Sequence, residues 1–330
     1  MINVKAKKII LPLEAFFSAL ILTWISLYLI ENPDLDPYIS LFYYGDRSES
    51  TVEPTMYLLA FLAKSLSSFL SFDPILIFYF NYIFLLQVFL LFGFYNIAKQ
   101  SIANSNILIF LWLLIYGVMH CLIQIRFGLA NAIFVYIFSL FYSNKSFLNT
   151  YLLGFFGILT HYSSIFAIFV LFYLRVKGKL FQTLSYKLIH LSFIVILLSF
   201  KFSLIFSILP DFIYVRLNGY LTNDELEGVS IITSIISFIC YSTLMLCPKL
   251  NDEKLNCLRI YGALGFLPYF ITPELEILVR LGIPFQYLLL IYLFLTFKVK
   301  KVAVLSTIPL LAFYSYKIFS SVSAFIGYLK

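Results

Sequence analysis

Apolar runs of about the length needed to cross a lipid bilayer recur along almost the whole chain, and they constrain the fold more than any other feature. Runs that reach or approach the roughly 20 residues of one crossing lie at 9–30, 74–97, 105–122, 126–142, 187–208, 229–247, 257–272, 278–297 and 302–325. Only 12% of the 330 residues are charged, about half the share found in water-soluble domains. No polar stretch is long enough to fold as a separate soluble enzyme domain. The expected fold is all-α: a polytopic transmembrane bundle of about nine to eleven spans, forming a single integral membrane domain over 1–330 with external loops at 31–53 and 209–228.

Two apolar stretches do not read as simple spans. Residues 54–72 carry Lys64 and several serines, which suits an interfacial or re-entrant helix. Residues 146–174 are too long for one crossing and are interrupted by Thr160-His161-Tyr162-Ser163-Ser164, which predicts a broken helix of the kind that lines a cavity at membrane depth. Lys5, Lys7 and Lys8 precede a first apolar run without a small-x-small cleavage site, so that run is expected to stay as a span. Cys121, Cys240, Cys247 and Cys257 form no CxxC pair, so neither a zinc site nor a disulfide framework is indicated, and they read as small packing residues.

The net charge of +7 is explained by membrane orientation and not by nucleic-acid binding, because basic residues concentrate in cytoplasmic loops. One threading places the segments with Lys5/Lys7/Lys8, Lys99, Lys145, Arg175/Lys177/Lys179/Lys187, Lys249/Lys254/Arg259 and Lys298/Lys300/Lys301 all inside. It requires that 54–72 not cross fully and that 146–174 break at His161 and return to the cytoplasmic side. Every acidic residue except Glu14, Asp252 and Glu253 then falls outside. A rival threading makes both stretches full crossings and turns Arg126 to the cytoplasmic face.

In the first threading several arginines stand outside, where positive charge is scarce. Arg126 and Arg280 each open an apolar helix, and Arg216 lies in the external segment DFIYVRLNGYLTNDELEG. Guanidinium keeps its charge and offers a planar fork to phosphate, and helix N-termini add their positive ends, so converging arginines make a site for a dianion. The alternative is that each snorkels to the interface as an anchor. His161, within the predicted break, could accept a proton or bond a sugar hydroxyl, or could simply hold the break together. His120 and His190 read as core histidines, and Lys201 fits either snorkelling or a further anionic contact. The loop at 31–53, with Asp36, Glu53 and its tyrosines, suits a polyhydroxylated ligand, since carboxylates accept hydroxyl hydrogen bonds and aromatic faces pack on sugar rings. A merely solvated loop is the competing reading. No EF-hand, P-loop, DxD or GxSxG pattern is present, so nothing in the sequence calls for a metal or a nucleotide cofactor.

Arg126-Phe127-Gly128-Leu129-Ala130, then His161-Tyr162-Ser163 after a lysine-bearing loop, with Glu53-Pro54 before and Arg280 opening a late span, resembles the EpsG/Wzy-type polysaccharide polymerases over about residues 36–297. In that family's pattern an aromatic tends to stand two residues after the Glu-Pro proline; here Met56 holds that place and Tyr57 follows. The resemblance implies a GT-C-like membrane glycosyltransferase at the outer face of the bacterial cytoplasmic membrane. Such an enzyme transfers a growing glycan from undecaprenyl diphosphate to a fresh lipid-linked repeat unit, in some cases with a chain-length regulator. It implies catalytic roles for Arg126, Arg280 and His161, with Glu53 and Asp36 as further candidates for a base. Arg216, Tyr220 and Tyr57 would bind substrate, and no cofactor would be needed. Two other classes remain compatible with the arginines: an O-antigen ligase or related lipid-linked glycan transferase, and a lipid-linked oligosaccharide flippase, although the internal repeat usual in transporters is not evident.

Overall fold

Five helices among the described residues are long and apolar enough to cross a membrane, and shorter apolar helices lie at Thr150–Thr160, Ile231–Leu246 and Arg280–Thr296. The computed structural model describes residues 4–29, 34–44, 53–98, 102–143, 147–177, 229–247, 250, 252–273, 279–296 and 306–329, and for some helical residues, Asp36 among them, the backbone only. No strand occurs among the described residues, so the all-α reading holds. The predicted run at 187–208 and the external segment at 209–228 lie outside the described residues.

The helices are α1 (Val4–Leu27), α2 (Leu35–Tyr44), α3 (Pro54–Leu70), α4 (Pro74–Ile97), α5 (Ile102–Trp112), a π-helical stretch (Leu113–Ile123) that continues it, α6 (Ile125–Tyr142), α7 (Phe147–Thr160), α8 (Ser164–Lys177), α9 (Ile231–Leu246), α10 (Glu253–Leu264), α11 (Leu267–Ile271), α12 (Ile283–Thr296) and α13 (Ile308–Leu329). They divide into two units, Met1–Ile168 with Tyr314–Lys330, and Phe169–Phe313.

In the first unit, α1 shows the inverted polarity of a helix made for lipid. Its interior stripe is Leu11, Ala15, Ala19, Thr23 and Ser26, small or polar at helical spacing after the leucine, while Phe17, Ile21 and Trp24 face outward. Small residues let helix backbones approach where lipid supplies no hydrophobic drive between them. Ser26 Oγ uses that proximity to donate to the Leu122 carbonyl in the π-helical stretch. The α4 and α6 helices run parallel: a Cβ on Gly93 would press on Val135 and Tyr136, and Asn96 donates to Ser139 Oγ at 3.1 Å. Nearly every residue of α6 is buried, as expected of a helix that is apolar all round.

One sequence expectation is met in detail, and another is corrected. The helix break falls at His161–Ser163, between α7 and α8. The α3 helix has one buried face (Thr55, Met56, Leu59, Ala60, Ala63) and is not among the spans; Lys64 donates from it to the Phe42 carbonyl at 2.9 Å. The segment 31–53, however, is not all loop. Residues 35–44 form α2, because Tyr38 and Phe42, one turn apart, bury their rings against Tyr79 and Phe78 of α4.

In the second unit, Ser230 caps α9 by accepting from the Thr233 amide, and Asp252 caps α10 by accepting from the Lys254 and Leu255 amides. These are standard means of satisfying the first amides of a helix. A single 3-10 turn, Arg280–Gly282, leads into α12, which is almost wholly buried.

Candidate active site

Arg126 is the second residue of α6, where the positive end of the helix dipole opposes a cation, and burial opposes it further. Glu53 offsets both. It stands immediately before α3, at the favourable positive end of that helix, yet its carboxylate caps no α3 amide. Instead Glu53 Oε2 accepts from Arg126 Nη1 at 2.5 Å, with the two side chains 9% and 23% exposed. The Tyr38 ring lies 5.1 Å from the guanidinium carbon, a cation–π contact that stabilises a cation shielded from water. Burial pushes the Tyr38 phenol up to about 12 while Arg126 pulls it down, so the phenol is uncharged at neutral pH.

The pairing leaves donors unused. Arg126 Nε and the Tyr82 hydroxyl are buried without a hydrogen-bond partner, and Tyr82 lies within electrostatic range of both Arg126 and Glu53. A carboxylate binding one edge of a guanidinium leaves the rest of the fork for another acceptor.

His161 is brought to the same region from α7. Thr160, next to it, has its hydroxyl 3.3 Å from that of Thr55, two residues after Glu53. Phe127, next to Arg126, meets the His161 ring edge-on at 5.2 Å and the His120 ring at 5.2 Å on another side. Ser163 sets the tautomer: its amide donates to His161 Nδ1 at 3.4 Å and its hydroxyl lies 2.7 Å from the same nitrogen. With Nδ1 accepting, the ring proton sits on Nε2, and the imidazole presents an N–H donor there.

Gly128 completes the Arg-Phe-Gly run. A side chain there would overlap the backbone carbonyl of His120, so glycine is what allows α6 to start directly against the end of the π-helical stretch, with Gln124 alone between them. The same device recurs in the second unit. Gly282, two residues after Arg280, crosses the backbone of Gly265 without room for a methyl on either, and Gln286 donates to the Gly265 carbonyl at 3.0 Å. Each arginine therefore sits at a helix start anchored by a glycine two residues later.

The structure gathers Arg126, Glu53 and, through Phe127 and Thr160, His161. Tyr57 lies on the exposed side of α3 with Leu58 and Phe61, and Arg280 belongs to the second unit. Asp36 lies in α2, but its side chain falls outside the described residues, as do Arg216 and Tyr220. Tyr82 escaped the sequence reading, and Tyr38 figured in it only as one of the tyrosines of 31–53, not as a partner of Arg126; the signal available for its burial was its one-turn spacing from Phe42. Among the described residues, no three His, Cys, Asp or Glu side chains gather as a metal site would require. The chain matches the model of the EpsG family over residues 14–329. No curated protein and no solved structure matches it.

Proposed function

Since the chain belongs to the EpsG family, a family of membrane polysaccharide repeat-unit polymerases, we propose that it joins oligosaccharide repeat units carried on undecaprenyl diphosphate at the outer face of the bacterial cytoplasmic membrane, without a cofactor. The observation that carries this reading is the half-buried Arg126, held by one carboxylate and with Nε buried and unsatisfied. It is a fixed cation with a free edge at a helix start, which is what a leaving diphosphate requires. Charge developing on that group is stabilised most by donors already in place and shielded from water.

In this mechanism Arg126 binds and stabilises the leaving diphosphate; the family resemblance implies a diphosphate contact for Arg280 as well. His161 donates from Nε2 to a sugar hydroxyl and orients it. Arg216 and Tyr220 bind the second lipid-linked unit from the external segment, and Asp36 and Tyr57 contact the glycan. A chain-length regulator is the expected protein partner.

Deletion of the gene followed by glycan electrophoresis tests the reading. The expected result is loss of the ladder with a single capped repeat retained. A normal ladder would exclude a polymerase, whereas loss of all capped product would point to a ligase or flippase. Complementation with Arg126→Lys or Arg280→Lys should restore less than about a tenth of chain extension, because lysine keeps the charge but loses the fork.

A further inference from the structure

The carboxylate of Glu53 holds Nη1 of Arg126, a nitrogen that an anionic ligand binding the whole fork would also use, while Nε stays open. Three observations coincide there. Glu53 is 6% exposed, though a carboxylate is among the groups least often buried. It stands at the N-terminus of α3 but bonds Arg126 instead of capping its own helix. Arg126 Nε and the Tyr82 hydroxyl, the latter within electrostatic range of the pair, are buried donors with no acceptor. A single carboxylate leaves this cluster under-satisfied, whereas a diphosphate, with more oxygens and more charge, could use both donors at once.

We propose that Glu53 is a proton acceptor masked by Arg126, and that the donor's diphosphate unmasks it by displacing it from the guanidinium. The inference rests on the reading of Arg126 as the diphosphate site. Exchange replaces one charge-assisted contact by two or more, with Tyr82 donating its hydroxyl to the incoming phosphate. The released carboxylate remains beside the reacting centre. The acceptor oxygen then attacks the anomeric carbon as its proton passes to Glu53. The bond from that carbon to the diphosphate breaks, and its electron pair stays on the diphosphate against Arg126. Glu53 returns the proton to water and re-pairs with Arg126 as the lipid diphosphate departs. The coupling gives the enzyme no free base until a donor is bound.

The test uses the full-length protein in detergent or nanodiscs, with farnesyl diphosphate and inorganic pyrophosphate as binding probes and a lipid-linked repeat unit for kinetics. Glu53→Gln should bind farnesyl diphosphate about tenfold more tightly than the native protein, since the neutral amide competes less for Arg126. It should also lower KM and kcat together, a split that simple damage to the site would not produce. Tyr82→Phe should weaken binding of the same probe roughly threefold or more while leaving thermal stability unchanged. Pyrophosphate binding separates recognition of phosphate from recognition of the lipid tail: the exchange predicts the same rank order of variants with either probe.

Equal or weaker binding by Glu53→Gln, or a kcat that it leaves unchanged, would overturn the exchange. If that variant does not fold, Glu53→Asp, whose shorter side chain loosens the pair, must shift binding in the same direction or the proposal fails. Equal binding of the diphosphate by native protein and Arg126→Lys would instead remove the diphosphate site from Arg126, and with it the reading on which the exchange depends.

Discussion

At the scale of single residues, the site is held by backbone proximity as much as by charge. Gly128 and Gly327 make a controlled pair. Both lie in helices, but a methyl at Gly128 would overlap the His120 carbonyl, whereas nothing lies within 4 Å of one at Gly327. Backbone cannot yield as a flexible side chain can, so Gly128→Ala should destabilise the protein by about 3 kcal/mol or more. Gly327→Ala should be neutral, or stabilising by up to about 1 kcal/mol. Thermal unfolding of the two variants in one detergent checks the contrast. The Arg-Phe-Gly run was legible in the sequence as a motif, but the reason for its glycine was not, since the carbonyl it meets belongs to a preceding helix. Glu53 was legible as a candidate because it stands beside a proline that starts a helix. Its partner was not, because Arg126 lies 73 residues away.

At the scale of elements, helix ends do much of the positioning. The terminal carbonyls of α9 are gathered by Arg259, which is 1% exposed. Its Nη1 donates to Leu244 O at 2.9 Å and to Cys247 O at 2.5 Å, and its Nη2 to Asn256 Oδ1 at 3.1 Å. Every one of these acceptors is neutral, so a cation is stabilised by the negative end of a helix and by polar dipoles. Asn256 in turn bonds both the amide and the carbonyl of Leu250, closing the turn between α9 and α10. Arg259→Met should lower the stability of this unit by about 3 kcal/mol, because several buried acceptors lose their donor. Arg259→Lys should recover only part of the loss, because one ammonium lacks the span of the guanidinium fork. Protease resistance of the folded protein, compared across the two variants, reads this out. Charge counting had assigned Arg259 to a cytoplasmic basic cluster. Its burial as a helix cap could not be seen from spacing, because its acceptors are backbone atoms that any sequence would provide.

At the scale of the whole molecule, the parallel run of α4 and α6 has a consequence for topology. Both helices end near a lysine-bearing connection, so the segments holding Lys99 and Lys145 must emerge on the same side of the membrane if both helices cross it. Reporter fusions after Lys99 and after Lys145 should therefore agree, and the excess of basic residues in the proposed inner loops predicts that both are cytoplasmic. Disagreement between them would contradict the parallel pairing. Agreement on an external location would leave the pairing intact and move Arg126 to the cytoplasmic face.

Taken alone, the sequence determined the helical class, the break at His161, and five of its nine apolar runs as helices long and apolar enough to cross; the run at 257–272 is instead divided between α10 and α11. These follow from composition and local pattern: hydrocarbon demands internally satisfied backbone, and a polar Thr-His-Tyr-Ser-Ser run cannot continue an apolar helix unchanged. Family membership was legible in the order and spacing of short motifs. The tertiary structure decided which polar groups face one another: Glu53 on Arg126, Tyr38 beneath the guanidinium, Ser163 on Nδ1 of His161, and the helical form of 35–44. Those pairings depend on contacts between distant segments, and a membrane sequence, apolar on both its lipid and its interior faces, carries little periodicity from which to read them.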